Sequence, residues 1–160
     1  GDDELLRKVK KGVGHDEMLK AGRLLVEADI NLSAMVLLGL AGPGEASARH
    51  ALATADIINE MKPQYLAALT VTPVPGTVLY RQVQKGDFRL LDPFETLSEM
   101  KNIFENITID RLKFVGTHAS NYLPITGTLQ QDRLKMIALV DSVLAGREKN
   151  LLRPEHLRGL

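Results

Sequence analysis

Near its middle the chain runs from an apolar, β-prone stretch, residues 65–71, straight into Thr72-Pro-Val-Pro-Gly76. Proline has no N–H to give a β-ladder, so Pro73 and Pro75 end that strand, and Gly76 turns the chain away. The segment beyond them is a loop at a strand's C-terminal end. In α/β proteins with parallel sheets that end is where ligands bind. Residues 72–80 are therefore the first place to look for function.

The rest of the sequence alternates between helical and strand patterns. Asp2 and Asp3 can cap a short helix carrying Leu5, Leu6 and Val9, which Gly12 stops. A second helix is expected over 15–29 with its stripe at Met18, Ala21, Leu25 and Ala28, weakly started at Gly14. Residues 32–40 are nearly all apolar, the pattern of a parallel strand buried on both faces, and Gly42-Pro43-Gly44 breaks them. A helix over 45–61 comes next, with Ala48, Leu52, Ala55 and Ile58 as its stripe and Lys62-Pro63 as its end.

Beyond the proline loop, 77–84 predicts a short helix. Asp92-Pro93-Phe94-Glu95 then combines an acceptor cap, proline at the first helical position and a carboxylate at the third. That helix, running to about Asn106, buries Leu97, Met100, Phe104 and Ile107. Residues 111–115 predict a third strand, 116–121 another loop at a strand's C-terminal end, and Thr128 with Gln131 a capped helix reaching Ala145. The expected fold class is α/β: three parallel strands joined by helical crossovers. No linker divides the chain, so one domain is expected over 1–160. Three strands are few, and no strand leads into the first helix, so a piece is expected to be missing upstream.

Composition narrows the function classes. Twenty basic side chains balance twenty acidic ones, which gives nucleic acid no electrostatic footing. No run approaches the roughly 18 apolar residues of a spanning helix, so no membrane partner and a cytoplasmic location are expected. The chain has no cysteine, which removes disulfides, thiolate nucleophiles and cysteine-bound metal. The four histidines, at 15, 50, 118 and 156, lack zinc-ligand spacing, and no metal-binding residue is expected.

Three segments in order, Gly1-Asp-Asp-Glu-Leu-Leu-Arg-Lys-Val-Lys-Lys-Gly12, Leu37-Leu-Gly-Leu-Ala-Gly-Pro-Gly-Glu45 and Thr72-Pro-Val-Pro-Gly-Thr-Val-Leu-Tyr80, resemble successive motifs of the radical S-adenosylmethionine superfamily. The branch is that similar to oxygen-independent coproporphyrinogen oxidases and tRNA-modifying members, with Ala41 where those carry proline. The resemblance covers residues 1 to about 125. It implies the C-terminal part of a partial (β/α) barrel, and a fragment of a longer oxidoreductase or radical-generating enzyme. That family's three-cysteine motif, which holds a [4Fe-4S] cluster, is absent. S-adenosylmethionine and the cluster are therefore expected in the full-length protein, with none bound to this piece, which alone is expected to be inactive. The expected partners are the missing N-terminal half of the barrel and a second copy of this chain, the two copies meeting at an exposed sheet edge.

The resemblance also implies site residues. Lys11 stands where a basic residue meets the methionine carboxylate, although Lys8, Lys10 and Lys11 are equally a solvated helix face. Leu37 stands where an aliphatic side chain packs on adenine, Met35 where some relatives have a ribose-binding acid, and the backbone of Val71 and Thr72 where the adenine edge is read. Gly39 and Gly42 allow close backbone approach or simply a turn. His118 and Asn121, in the loop after the third strand, are weak candidates for catalysis; Ser120 lies between them. A loop histidine more often satisfies local carbonyls, and Asn121 is equally a loop cap. His50 reads as a surface or boundary residue. The alternative is a non-catalytic nucleotide-binding or structural half-barrel that associates with another protein, since Gly42 and Gly44 precede a helix start where an anion can sit.

Overall fold

A computed structural model describes residues 1–146 and 149–159. Its elements are helices α1 (Asp3–Lys8) and α2 (His15–Glu27), strand β1 (Ser33–Leu38), helix α3 (Glu45–Met61), strand β2 (Tyr65–Thr70), helices α4 (Val78–Lys85) and α5 (Pro93–Asn106), strands β3 (Lys113–Val115) and β4 (Thr126–Thr128), and helix α6 (Leu129–Leu144). Two short 3-10 turns come last, Lys149–Leu151 and Glu155–Leu157. The strands form one sheet in the order β1-β2-β3-β4. The first three are parallel, with Ser33 opposite Tyr65 and Tyr65 opposite Lys113.

β4 is antiparallel to β3, with Val115 opposite Thr126, and nothing in the sequence announces it. Thr126-Gly127-Thr128 has no apolar alternation to betray a strand. It exists because Phe114 and Ile125 bring the chain back beside β3, where the Gly116 amide donates to the Ile125 carbonyl at 2.8 Å.

Residues 32–40 do not form a strand buried on both faces. β1 alternates, with Val36 and Leu38 buried and Met35 75% exposed. β2 alternates likewise, Leu66, Ala68 and Thr70 pointing into the core. The reason is that every large helix covers the same face. α3 packs on α5 and α5 on α6, burying Ala55, Ile58, Leu97, Met100, Ile103, Phe104 and Val140 against that side of the sheet. Phe104 of α5 meets Phe114 of β3 edge to face, centroids 4.7 Å apart, a favoured aromatic geometry. The opposite face, bearing Met35, Leu37, Tyr65, Ala67, Leu69, Lys113 and Val115, has no such cover. On it the Lys113 ammonium stands 5.5 Å from the Tyr65 ring centre. A sheet backed by helices on one side and bare on the other is the wall of a barrel rather than a doubly wound layer.

Several local expectations shift by a few residues. α1 ends at Lys8, and Lys10 takes φ 56°, so Lys11 lies in the following turn rather than on the helix. α2 buries Leu19 and Gly22 while Ala21, Leu25 and Ala28 are exposed, because a glycine at 22 lets the helix close on Met61 of α3. In α3 the buried stripe runs through Ala51, Ala55, Ile58 and Met61, leaving Ala48 and Leu52 outside. Thr128 does not cap α6 with its side chain; its amide instead donates to Asp132 Oδ2 at 2.9 Å. The box at Asp92 forms as the sequence predicts, with Glu95 N–H on Asp92 Oδ1 at 2.8 Å and Asp92 N–H on Glu95 Oε2 at 3.0 Å.

Candidate functional site

The C-terminal ends of β1 and β2 meet through one bond beyond the assigned ladder. The Val71 amide donates to the Leu38 carbonyl at 2.9 Å, after which the two chains part. Gly39 turns away at φ 80°. A Cβ there would lie 3.3 Å from Val71 Cγ1, so both the dihedral and the close packing call for glycine. Gly39, Thr70, Val71, Thr72 and Pro73 line a cavity of about 50 Å³, closed from above by Tyr122 and Arg158. Gly42, at φ 79°, is buried beneath Phe88. Its geometry is that of a turn residue.

Beneath this turn lies Glu99 of α5, 1% exposed. Its Oε1 accepts the Gly39 amide at 2.9 Å and faces His50 Nδ1 at 3.2 Å, while Oε2 accepts the Ser47 hydroxyl. His50 is consequently no surface residue. At 6% exposure it is among the buried polar groups, its partner lying 49 positions along the chain. No local pattern around His50 could have announced a carboxylate arriving from α5. The signal that was available is Glu99 itself, acidic between Leu97 and Met100 on a helix face the periodicity marks as core.

The loop after β3 is tied down by its own side chains. Asn121 Nδ2 donates to the carbonyls of Ala68 at 2.7 Å and Gly116 at 2.9 Å, and its Oδ1 accepts from Thr70 Oγ1 at 2.9 Å. Every polar atom of this buried amide is thus spent on joining β2 to the loop. Ser120 Oγ accepts the Thr70 amide at 3.0 Å. His118 Nδ1 accepts the Ser120 amide at 3.2 Å and lies 2.9 Å from Ser120 Oγ. With Nδ1 accepting, the neutral ring carries its proton on Nε2, and the exposed His118 presents a donor.

The C-terminal segment fastens this loop from outside. Arg153 Nη1 donates to the carbonyls of His118, Ala119 and Asn121 at 2.8–3.0 Å. Arg158 Nε donates to the Ser120 carbonyl at 2.8 Å, Nη1 pairs with Glu155 at 2.6 Å, and the guanidinium lies 3.7 Å from the Tyr122 ring centre. Burial holds the Tyr122 phenol above its ordinary pKa, more than the neighbouring Arg158 cation lowers it.

Lys11 and Leu37 come together elsewhere, in a cavity of about 390 Å³ along the outer edge of β1, with Met35, His50 and Thr54 also in its wall. This is within the range of small-molecule sites. Lys11 is exposed and forms no ion pair among the described residues. The structure thus divides the candidates into two adjoining groups: Gly39, Val71 and Thr72 at the strand mouth, Lys11 and Leu37 at the sheet edge. A larger, shallow depression of about 570 Å³ lies between α1 and the start of α2, away from the strand ends.

Thiolates hold iron–sulfur clusters, and the chain has none. Among the described residues no group of three His, Asp or Glu side chains gathers that could hold a metal ion. The donor set of these 160 residues does not fit such a cluster. No helix among the described residues is long and apolar enough to cross a membrane.

No protein-family model and no curated protein matches the sequence. Among solved structures the chain is similar to an N-terminally deleted form of the archaeal Elp3 of Methanocaldococcus infernus, with a TM-score of 0.63 and 17% identity over 94% of this chain. The match takes in 34% of that protein, so this chain spans about a third of its length. The likeness is one of fold.

Proposed function

We propose that this chain is the C-terminal half of a radical S-adenosylmethionine barrel and forms one wall of its ligand site. The observation that carries the reading is the one bare face of a helix-backed parallel sheet, with the motif segments 37–45 and 72–80 leaving adjacent strands at the same end. The motif resemblance of residues 1–125 supports it. So does the fold shared with Elp3, itself a member of that superfamily. In the whole enzyme, a cluster held outside these residues would cleave S-adenosylmethionine reductively to start radical chemistry.

The roles of this chain's residues derive from their chemistry. Leu37 offers an aliphatic surface for adenine, the backbone of Val71 and Thr72 offers the polar edge that reads it, and Gly39 keeps the approach clear. Lys11 supplies a cation for the methionine carboxylate, and Gly42 shapes the turn. His118, with its Nε2 proton outward, serves the substrate side as a hydrogen-bond donor. Residues 1–160 act as a single domain, inactive alone, in a cytoplasmic parent whose preceding barrel half covers the bare face.

The anion-binding alternative is weakened by Glu99. Its carboxylate already takes the Ser47 hydroxyl in the first turn of α3, so the positive end of that helix has an internal partner and a phosphate would meet a buried negative charge. The test is to prepare the full-length protein anaerobically. An iron–sulfur absorbance band together with reductive cleavage of S-adenosylmethionine is the expected result, and the lack of both overturns the reading.

A further inference from the structure

We propose that Glu99 is a positioning residue for the ligand-facing turn after β1, and that it fixes His50 so that Nε2 is offered as an acceptor to the cavity at the sheet edge. The inference rests on the reading that this turn and that cavity face the ligand. It assigns the cavity a polar recognition point, suited to a ligand group that donates a hydrogen bond, such as a hydroxyl or an ammonium.

The geometry begins at the Gly39 amide. Leu38 is the last β1 residue whose carbonyl receives a bond from β2, and the chain then turns at φ 80°. The Gly39 N–H, buried at this point, has no ladder partner, and a buried amide left unpaired keeps its full desolvation cost. Glu99 Oε1 supplies the acceptor at 2.9 Å, from 60 residues away. A leucine at 99 would match its neighbours Leu97, Met100 and Ile103, all nearly sealed from solvent. A buried carboxylate, even a partnered one, is a costly way to fill such a layer. What it adds over an apolar side chain is direction: one oxygen on the turn, the other on Ser47 at the head of α3.

The same oxygen faces His50 Nδ1 at 3.2 Å. Because Glu99 acts as acceptor from Gly39 and Ser47, Nδ1 is the donor in this pair, and the ring's one-proton form carries its lone pair on Nε2. Nε2 makes no hydrogen bond among the described residues, yet it is not among the fully enclosed unpaired atoms, of which Arg133 Nε is the one found there. It therefore has access to solvent, and His50 stands in the wall of the space it shares with Lys11, Leu37 and Thr54. A side chain 7% exposed, with one nitrogen anchored and the other unpaired, in a residue that lines a cavity, is built as a recognition group.

The test uses the full-length protein and two readouts that need no turnover. In the first, nitrogen NMR of His50 is expected to show the Nδ1–H tautomer with Nε2 unprotonated; the reverse tautomer, or a ring protonated at both nitrogens, overturns the proposal, whatever any variant does. In the second, amide exchange at Gly39–Gly42 is compared with exchange in β2. Glu99→Leu is expected to accelerate Gly39 roughly tenfold or more while β2 is unchanged, as loss of a bond to a charged acceptor predicts. Glu99→Gln, whose amide oxygen can still accept from Gly39, is expected to restore protection. Unchanged Gly39 exchange in a folded Glu99→Leu, or no rescue by Glu99→Gln, overturns the anchor; if Glu99→Leu does not fold, the glutamine variant and the tautomer decide. Calorimetry with S-adenosylmethionine separates the two readings. Altered exchange without binding by either protein leaves the anchor standing and defeats the ligand assignment.

Discussion

Asn121 Nδ2 donates to the Ala68 carbonyl at 2.7 Å, so a loop residue after the third strand completes the hydrogen bonding of the second. The same amide serves Gly116 and Thr70. Asn121→Ala would orphan two carbonyls and a hydroxyl in the interior and is expected to cost about 2–4 kcal/mol, more than one ordinary hydrogen bond. Asn121→Asp should not rescue, because a carboxylate has no N–H for the Ala68 and Gly116 carbonyls. Urea denaturation checks both. A loss below about 1 kcal/mol for the alanine variant would show the amide free for another role.

Arg158 is 7% exposed at its side chain, its guanidinium carbon stands 3.7 Å from the Tyr122 ring centre, and its Nε donates to the Ser120 carbonyl. Arg158→Ala should release the segment 151–159, seen as faster amide exchange there while β1 and β2 keep their protection. Lysine should not substitute, since an ammonium cannot stack as a plane and bond through a fork at once.

The Tyr122 phenol beneath that guanidinium is held above its ordinary value by burial. Spectrophotometric titration should therefore show a phenol ionising late, and Tyr122→Phe should remove that last step. A titration whose final step survives in Tyr122→Phe would mean that the ring is not buried in solution.

How far these relationships are legible in the sequence depends on the range of the signal. The Asp92 box is a four-residue pattern and forms where that pattern predicts it, as does the strand that Pro73 ends. β1 misleads because Met35 and Leu37 are apolar without being covered; apolar identity reports what a face prefers to meet, and no helix of the described residues meets this one. β4 is hidden because Thr126-Gly127-Thr128 carries no period, its pairing being imposed by β3. The turns after the strands, at Gly39 and after Val71 and Thr72, are legible from punctuation by glycine and proline, whereas the ligand roles of these residues come from the resemblance alone. Glu99 and His50 are not legible, since neither means anything until α5 is laid against α3. The division of the candidates between mouth and edge likewise depends on where Lys11 leaves α1, a matter of one turn.

The start of α5 links stability to acid. Arg89 pairs with Glu95 and, together with the Asp92 amide, holds its carboxyl below the ordinary 4.5. A depressed carboxyl stabilises the fold above its unfolded value, and that contribution disappears as pH falls through the folded value. The stability curve should therefore fall below about pH 4.5, and Glu95→Gln should flatten that fall. Asp92→Ala is expected to cost about 1 kcal/mol at neutral pH as a lost helix cap. An unchanged acid slope in Glu95→Gln would place the acid sensitivity elsewhere, the N-cap Asp2 being the next group held low: its pairing with Arg49 and its cap bonds outweigh burial.

Met35 is the most exposed large apolar side chain of the sheet, and β1 has a hydrogen-bonded neighbour on one side only. An open strand edge next to uncovered apolar side chains invites another strand, and proteins commonly block such edges with a charge. Residues 1–160 made alone should therefore self-associate at micromolar concentration through β1. Met35→Lys should shift sedimentation toward the monomer while changing monomer stability by no more than about 0.5 kcal/mol, because the side chain touches little that it would leave. If a further barrel half covers this face, as proposed above, Met35→Lys should instead destabilise the full-length protein, because the lysine would then be interior. Residues 1–160 sedimenting as a monomer would overturn the self-association and remove the physical motive for the covering half proposed above.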